Sequence, residues 1–326
     1  MRRKIKIIIL TSLLVGGVII CAIRWKAWFV TPPSPIWEGD TINVSFNTFA
    51  NDSILSSLQK ENLDFLIMGD IHSSMTSDDF NTLAKRHPNI QFWAQLGDWM
   101  ERPSFYYEQL MYHSISGTLF ETLPIVAIPG NHEYEKGIIK QLSDNWKHIF
   151  PNPQNGPKRF LGTTYMVDFP SFRLFAIDTD GLQLFSDYTQ VNFWLKKSIR
   201  ETKSKFTIVL MHHPISSTAE GRMNPMMWLT FNRTLSEADV VFSGHDHNYA
   251  RWEEKYENSF WNKKNSTVFV TTNASNKNYL VKDEEYDCSF SQIPVYEYLS
   301  VTKDKISIKT YELKTGKLVD EVTIKK

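Results

Sequence analysis

Cysteine is scarce in this chain: Cys21 and Cys288 are the only two among 326 residues. Two thiols form at most one disulfide, which excludes a small fold held together by several disulfides. A surplus of either charge is also missing, since 36 acidic residues balance 36 basic ones. Nothing in this balance points to nucleic acid as a partner. With 42% hydrophobic residues, the chain can build a sizeable buried core.

One long apolar run stands near the start, at residues 7–23. Four basic residues precede it, and a cationic and aromatic girdle that includes Arg24 and Trp25 follows it. This order is typical of a segment that inserts into a lipid bilayer. We therefore predict a transmembrane signal anchor at residues 1–30 with a cytoplasmic N-terminus. The rest of the chain would then lie on the extracytoplasmic side, whether periplasmic, extracellular or lumenal.

A cleaved signal peptide, which would release a secreted protein, is the alternative for the same segment. Cleavage requires small residues shortly before the cut. Bulky Ile20 and Trp25 occupy those positions ahead of Ala22 and Ala27. The sequence therefore favours the uncleaved anchor.

The remainder of the chain divides into a spacer and one domain. Three prolines between positions 32 and 35 stiffen the chain, so we predict a linker and lead-in at 31–60 and a single domain at 61–326. Short apolar runs that indicate buried strands alternate there with amphipathic stretches that indicate helices. The strands are predicted at 65–68, 92–96, 125–128, 174–177, 207–211 and 240–242, and the helices near 78–86, 134–147, 188–201 and 226–237.

This alternation predicts an α/β fold with its functional site at the carboxyl ends of the strands. After residue 267 the pattern changes to an alternation of two residues, in 268–270, 296–301 and 306–310. We interpret these stretches as antiparallel strands that complete a second sheet packed on the first.

Polar side chains follow five of the predicted strands. The segments are Gly69-Asp70-Ile71-His72, Gly97-Asp98, Gly130-Asn131-His132-Glu133, His212-His213-Pro214 and Gly244-His245-Asp246-His247. A single histidine after a strand is more often structural, but recurrence at five strand ends favours one shared site. Glycine beside these residues lets the backbone turn sharply while it stays close to an ion.

Metal chemistry accounts for the residue types. Oxygen and nitrogen donors without thiolate suit Fe, Zn or Mn ions, and a carboxylate such as Asp98 can bridge two of them. Two ions about 3.5–4 Å apart activate a water molecule and neutralise phosphoryl oxygens. The pattern predicts two metal ions of unassigned identity that act on a small phosphorylated substrate.

The five segments resemble the sequence blocks of the calcineurin-like metallophosphoesterase superfamily: D-x-H, G-D, G-N-H-E, a strand ending in His, and G-H-x-H. All five occur in the family's order between Asp70 and His247. The resemblance is nearest to the purple acid phosphatase-like branch, whose final block is similar to residues 238–242 and 244–251. It implies a four-layer α-β-β-α sandwich and hydrolysis of phosphate esters by a metal-bound hydroxide.

Position by position, the resemblance implies a role for each side chain. The first metal would be held by Asp70, His72 and His247 and the second by Asn131, His212 and His245, with Asp98 bridging. His132 would stabilise or protonate the leaving oxygen. His213 would line the substrate pocket, because the family pattern places the ligand first in the pair His212-His213.

Glu101 departs from the purple acid phosphatases, in which a tyrosine stands three residues after the bridging aspartate and gives the ferric colour. A purple chromophore is therefore not expected. Glu101 and Arg102 instead resemble an acid and an arginine of the protein serine/threonine phosphatases. That resemblance implies that Glu101 orients His132 and that Arg102 grips a phosphate oxygen. A solvated helix start is the alternative interpretation of both residues.

Other functions compete with phosphomonoester hydrolysis. Phosphodiester and pyrophosphate hydrolysis use the same metal core. A catalytically silent, membrane-tethered binding protein would show the loss of a ligand, whereas every expected ligand is present. A metalloprotease is excluded because the sequence has no H-E-x-x-H helix.

Overall fold

The computed structural model describes residues 44–137, 139–143, 145–258 and 263–326. The predicted anchor at 1–30 lies outside these residues, and within them no helix is long and apolar enough to cross a bilayer. The described part of the predicted lead-in, 44–60, packs on the domain. Phe46 and Phe49 are buried in its hydrophobic clusters, and the Phe46 amide donates to the Ile149 carbonyl at 2.9 Å.

Helices and strands alternate through most of the domain. In chain order they are α1 (Asp52–Ser57), β1 (Leu63–Met68), α2 (Ser77–Arg86), β2 (Phe92–Gln95), α3 (Phe105–Ile115), α4 (Leu119–Thr122), β3 (Ile125–Ala127), β4 (Tyr134–Glu135), β5 (Gln141–Leu142), α5 (Trp146–Ile149), β6 (Tyr165–Asp168), β7 (Phe172–Ile177), α6 (Phe185–Arg200), β8 (Phe206–Met211), α7 (Pro225–Leu235), β9 (Val240–Ser243), β10 (Tyr249–Asn258), β11 (Lys263–Thr271), β12 (Cys288–Phe290), β13 (Val295–Val301), β14 (Lys305–Glu312) and β15 (Leu318–Lys325). The six buried strands predicted before residue 267 are confirmed.

Two mixed sheets form the centre of the domain. The first has the order β15-β14-β13-β1-β2-β3, and the second has the order β12-β10-β11-β9-β8-β7-β6. Strands β1, β2 and β3 are parallel to one another, and so are β7, β8, β9 and β11. The carboxyl ends of each parallel set therefore lie along one edge of its sheet, where the ligand segments begin.

Alternation along each strand separates three hydrophobic clusters. In β1, Phe65 and Ile67 point between the two sheets, while Leu66 and Met68 point outward beneath α2 and α3. The Phe65 ring stacks on Phe172 of the opposite sheet at a centroid distance of 5.8 Å. A third cluster lies between the second sheet and helices α6 and α7. The predicted α-β-β-α layering is thereby confirmed.

Polar contacts also join the sheets. Asp320 of β15 accepts hydrogen bonds from Arg251 Nε at 2.6 Å and from the Tyr249 hydroxyl at 2.8 Å, both on β10 of the other sheet. Hydrogen bonds to a charged group are stronger than neutral ones. This triad therefore fixes the edge of one sheet on the other.

The structure corrects one prediction of local structure and adds one helix that was not predicted. Segment 134–147 is not one helix: it forms the hairpin β4-β5 and only then begins the short α5. The reason is tertiary, since the Tyr134 hydroxyl donates to Asp178 at 2.6 Å and anchors the segment beside β7. Helix α3 was not predicted because Glu108 and Ser114 lie on its buried face, which obscures an apolar stripe.

The grouping of the late strands also differs from the prediction. Residues 268–270 belong to β11, which extends the parallel set next to β9, whereas β13, β14 and β15 join the first sheet through β1. The late strands therefore do not make a separate second sheet. Each central parallel set instead gains antiparallel neighbours, because β1 and β11 each leave one edge to pair.

Candidate metal centre

One group of ligand-type side chains comes from both sheets. Asp70 and His72 follow β1, Asp98 follows β2 and His247 follows β9, and one donor atom of each lies within 4.8 Å of the others. The Nε2 atoms of His72 and His247 are 3.3 Å apart. His72 Nε2 lies 3.6 Å from Asp98 Oδ2. These four side chains therefore point their donor atoms at one small volume.

A second group shares Asp98 with the first. His212 and His245 complete it, with His212 Nε2 at 3.3 Å from Asp98 Oδ2 and at 3.3 Å from His245 Nδ1. The amide oxygen of Asn131, after β3, lies 3.3 Å from His212 Nε2. The structure thus brings all seven predicted ligands together around one shared carboxylate.

Hydrogen bonds behind the rings set the direction of the imidazoles. His212 Nδ1 lies 2.8 Å from the Leu96 carbonyl, which only a protonated nitrogen can approach as a donor. His247 Nδ1 lies 3.2 Å from the Ser275 hydroxyl. With their outer nitrogens engaged, these rings direct Nε2 inward, as metal-binding histidines do.

Burial controls the protonation of the side chains in the first group. It lowers the pKa of His72 to about 2 and that of His247 to about 3, so both rings are neutral and offer a lone pair. Burial also raises the pKa of Asp70 to about 8, and Asp70 Oδ1 accepts no hydrogen bond from the described residues. An orphaned buried carboxylate oxygen is costly unless a positive charge compensates it. The residues present therefore fit a metal ion.

The pKa of the shared carboxyl of Asp98 is shifted in the direction opposite to that of Asp70. Burial alone would raise the pKa of Asp98, but His212 outweighs it and holds this pKa well below its usual range. Burial likewise opposes the ionisation of His212, yet Asp98 raises the pKa of the ring well above its ordinary value. Asp98 is therefore a carboxylate when the fold forms, as a bridging ligand must be.

The backbone at the strand ends is unusual. His72, Asp98, His245 and His247 all have positive φ, between 48° and 70°. Such conformations in non-glycine residues cost about 1–3 kcal/mol each and cluster at functional sites. Only glycine fits at position 244, because the Cβ of any other residue would lie 2.4 Å from Asp70 Oδ2. The chain turns tightly at these points so that consecutive side chains reach the same centre.

Glu133 was in the predicted G-N-H-E segment but received no role. Its carboxylate is buried and accepts hydrogen bonds from the amides of Asp98, Trp99 and Gly130 at 2.7–2.9 Å. It therefore ties the loops after β2 and β3 to each other. Its place in the G-N-H-E segment was the signal that could have identified it.

His132 lies beside the first group rather than in it. Its ring meets His72 edge to face at 4.5 Å, and its amide donates to Asp98 Oδ1 at 2.7 Å. His132 Nδ1 lies 2.6 Å from the main-chain carbonyl of Glu101. Glu101 thus contacts His132 through its backbone, whereas its carboxylate turns to Lys277.

Lys277 is a residue that the sequence did not reveal. Its Nζ donates to Glu101 Oε2 at 2.8 Å and lies 3.0 Å from His72 Nδ1. His72, Glu101 and His132 could by composition hold a metal ion themselves, but the ammonium of Lys277 occupies this space and repels a cation. Lys277 follows β11 in a loop without any ligand motif, so only the fold brings it here.

Arg102 and His213 occupy the surroundings of the centre. Arg102 is exposed, with its guanidinium 5.7 Å above the Tyr107 ring. That position is compatible with the predicted solvated helix start. His213 lies next to His212, its ring centroid 4.1 Å from that of His245, and its Nδ1 3.0 Å from the Thr179 hydroxyl. It therefore adjoins the ligands without joining either group.

Comparison with known proteins agrees with this geometry. The profile of the calcineurin-like phosphoesterase family matches residues 63–249. Because that match spans more than half of the chain, the protein belongs to the calcineurin-like phosphoesterase family.

Individual relatives are more distant. The chain is 26% identical over 133 residues to the glycerophosphodiester phosphodiesterase GpdQ of Enterobacter lignolyticus, a match that covers 38% of this chain and 45% of that protein. Its structure is similar to purple acid phosphatase PPD1 from yellow lupin seeds, with a TM-score of 0.65, 18% identity, and 82% and 54% of the two chains covered.

The chain therefore spans about half the length of these two relatives. It is also similar to GAP50, the anchor in the inner membrane complex of Plasmodium, with a TM-score of 0.58, 15% identity, and 82% and 89% of the chains covered. At such identities, the likeness to the two solved structures concerns the fold.

Proposed function

We propose that this protein hydrolyses phosphate esters with the help of two metal ions. The observation that carries the proposal is the carboxylate of Asp98, which lies between two groups of ligand-type side chains. Asp70, His72 and His247 would hold one ion with it, and Asn131, His212 and His245 would hold the other. When bound, such a pair of ions lowers the pKa of a water molecule and neutralises charge on a phosphoryl group.

The donor chemistry limits the choice of metal. Four imidazoles, two carboxylates and one amide, without thiolate, suit Fe, Zn or Mn. The place of the tyrosine that colours the purple enzymes is taken by Glu101, and its carboxylate pairs with Lys277 instead of facing a metal. A colourless centre is therefore part of the proposal.

His132 is the side chain that we assign to the leaving group. Its position beside His72, outside both ligand groups, leaves it free to face the ester oxygen that departs. The hydrogen bond between Nδ1 and the Glu101 carbonyl fixes the ring, so Nε2 is the atom available to the substrate. A positioned histidine donor can hold or deliver the proton that a departing alkoxide needs.

Phosphate monoesters are the first candidate substrates, as in acid phosphatases. Phosphodiesters are the second, and the observation that favours them is the similarity to a protein named as a glycerophosphodiester phosphodiesterase. The active centre itself does not separate the two, because both esters present non-bridging phosphoryl oxygens to the ions.

Turnover of an aryl phosphomonoester and an aryl phosphodiester by the purified full chain tests the proposal. Metal-free protein is assayed after separate addition of Zn²⁺, Mn²⁺ or Fe²⁺, and bound metal is counted by mass spectrometry. We expect about two ions per chain and turnover of at least one ester. A chain that binds fewer than one ion and cleaves neither ester would be a binding protein, not an enzyme.

We also propose that residues 1–30 tether the domain to the extracytoplasmic face of a membrane. The order of basic, apolar and aromatic residues at 2–28 supports this assignment. After alkaline carbonate extraction, the full chain should stay with the membranes and a variant without residues 1–30 should not. Recovery of the full chain in the soluble fraction, shortened at its N-terminus, would indicate a cleaved signal instead.

A further inference from the structure

A cavity of about 410 Å³ opens beside the metal centre, and His213 belongs to its wall. Since the His213 ring is 4.1 Å from that of the ligand His245, the cavity adjoins the place where a phosphoryl group would sit. It extends from there to the start of α7, where Met226 and Met227 line it. The cavity is therefore placed to receive a group attached to the phosphate.

Asp180 gives this cavity a polar end. Its side chain is 0% exposed, and its Oδ1 accepts a hydrogen bond from Lys140 Nζ at 3.0 Å. Its Oδ2, 3.4 Å from His213 Nδ1, has no hydrogen-bond partner among the described residues. Buried acceptors of this kind are rare and costly. Asp180 lines the cavity, and its neighbours Lys140 and His213 are 43% and 18% exposed, so a small rotation of either side chain would open this oxygen to a donor on a ligand.

The charge around Asp180 selects the type of donor. Lys140 already neutralises the carboxylate at hydrogen-bond distance. A second ammonium would therefore bring an uncompensated positive charge, and an anionic group would be repelled by the carboxylate. A neutral hydroxyl supplies the missing donor without changing the balance.

Part of the remaining cavity wall is apolar, beside the polar side chains of Gln183, Tyr188 and Asn224. Leu182 and Met227 are each 5% exposed, and Met226, at 38%, lies nearer to solvent. Thioether side chains are flexible and pack against irregular carbon skeletons. The cavity thus offers the Asp180 acceptor at the end near His213, and an adaptable hydrocarbon patch of Leu182, Met226 and Met227 among the polar side chains beyond it.

We propose that this cavity holds the alcohol portion of the ester, and that this alcohol carries a second hydroxyl which donates to Asp180 Oδ2. The proposal rests on the function proposed above. In the reaction, an oxygen of water bonds to phosphorus, the bond from phosphorus to the alcohol oxygen breaks, and that oxygen takes up the proton that water loses. Asp180 binds the alcohol and takes no part in bond cleavage.

Two aryl esters with closely matched leaving groups test this proposal: phenyl phosphate and 3-(hydroxymethyl)phenyl phosphate. The wild-type full chain with bound metal should favour the second ester by about tenfold in kcat/KM, the effect of one hydrogen bond to a charged group. The isosteric Asp180→Leu variant should lose this preference, so that its ratio of kcat/KM for the two esters falls to about one, whatever its rate with phenyl phosphate. Asp180→Asn, which keeps the shape and a weaker acceptor, should retain part of it.

Asp187→Asn is the matched control, because Asp187 is a buried carboxylate that pairs with Arg159 at 2.5 Å outside the cavity lining. Its preference should equal that of the wild type. A wild-type ratio of one or below, with phenyl phosphate turned over normally, overturns the cavity proposal and leaves the proposed function intact.

If neither ester is cleaved, the proposed function is contradicted, and a binding measurement then tests the cavity proposal separately. In protein labelled with [methyl-¹³C]methionine, the Met226 and Met227 signals, assigned by substitution with Leu, should shift on addition of 3-(hydroxymethyl)phenyl phosphate. The shift should weaken in Asp180→Leu. Signals that do not move in the wild type would show that the cavity holds solvent alone.

Discussion

Glu297 should make the stability of this protein depend on pH in a direction opposite to that of an ion-paired acid. It lies in β13, opposite Ile67 of β1 and Thr310 of β14. The side chain is 0% exposed, and neither carboxyl oxygen makes a hydrogen bond of normal geometry to another described residue, although the nearby Thr272 side chain lowers the pKa in part. Burial raises the pKa of this carboxyl to about 8. The folded protein therefore keeps a proton that the unfolded chain releases.

The size of the effect follows from this difference in pKa. Between the ordinary value of 4.5 and about 8, only the unfolded chain loses the proton. The free energy of unfolding therefore falls as the pH rises, by up to about 1.4 kcal/mol per pH unit. At pH 7 the accumulated loss is about 3 kcal/mol, a large part of the 5–15 kcal/mol that is roughly typical of native proteins.

Glu297→Gln removes the titrating group from the same position. Urea unfolding of variant and wild type, followed by circular dichroism at several pH values from 5 to 7.5 with excess chelator, gives the difference in their free energies of unfolding. We expect this difference to shift in favour of the variant by about 1.4 kcal/mol per pH unit. The slope is the decisive quantity, because the packing of glutamine itself adds only a constant.

Glu321→Gln provides the same substitution at an exposed position of the same sheet, where Glu321 lies 3.7 Å from Lys309. It controls for general effects of removing one acid. A free-energy difference between Glu297→Gln and the wild type that stays flat across this pH range would show that Glu297 does not hold its proton in the fold.

Four further predictions concern the metal centre and the contact between the sheets. Asp98→Asn should lower the content of both metal ions, measured by mass spectrometry, whereas His132→Ala should retain both and slow esters with poor leaving groups by about 100-fold or more. Gly244→Ala should also lose metal, because its Cβ would meet the Asp70 carboxylate at 2.4 Å. Gly117→Ala meets nothing within 4 Å but strains a backbone with φ of +74°, so it controls for metal loss caused by destabilisation alone. Asp320→Ala should lower the free energy of unfolding by about 2 kcal/mol without loss of metal. Metal loss in the His132 variant, or equal metal content in the two glycine variants, would contradict these assignments.

The fold is similar both to a purple acid phosphatase and to the anchor of a membrane complex, so the fold alone does not identify the function. Catalysis is therefore inferred from the predicted ligand side chains. All seven predicted ligands converge here, and the hydrogen-bond partners behind two of the rings are also in place: the Leu96 main-chain carbonyl behind His212 and the Ser275 hydroxyl behind His247. This completeness is why we propose catalysis rather than a silent binding role.

Some features could not be read from the chain because they depend on distant partners. The segment around Tyr134 has the composition of a helix, but its hydrogen bond to Asp178 draws it into a hairpin beside β7. Residues 268–270 look like any alternating strand, and only their pairing with β9 assigns them to the second sheet. Local pattern carries no information about which edge a strand will join.

The sequence by itself determined the buried strands and the ligand-type side chains at their ends. Both are local, since an apolar run followed by glycine and a donor residue specifies strand, turn and chemistry within a few positions. The tertiary structure alone decided the setting of the site. Lys277 reaches Glu101 from a loop 176 residues later. The Oδ2 atom of Asp180 lies beside His213 without a hydrogen-bond partner among the described residues. Such contacts arise from how the two sheets face each other, which no short stretch of sequence encodes.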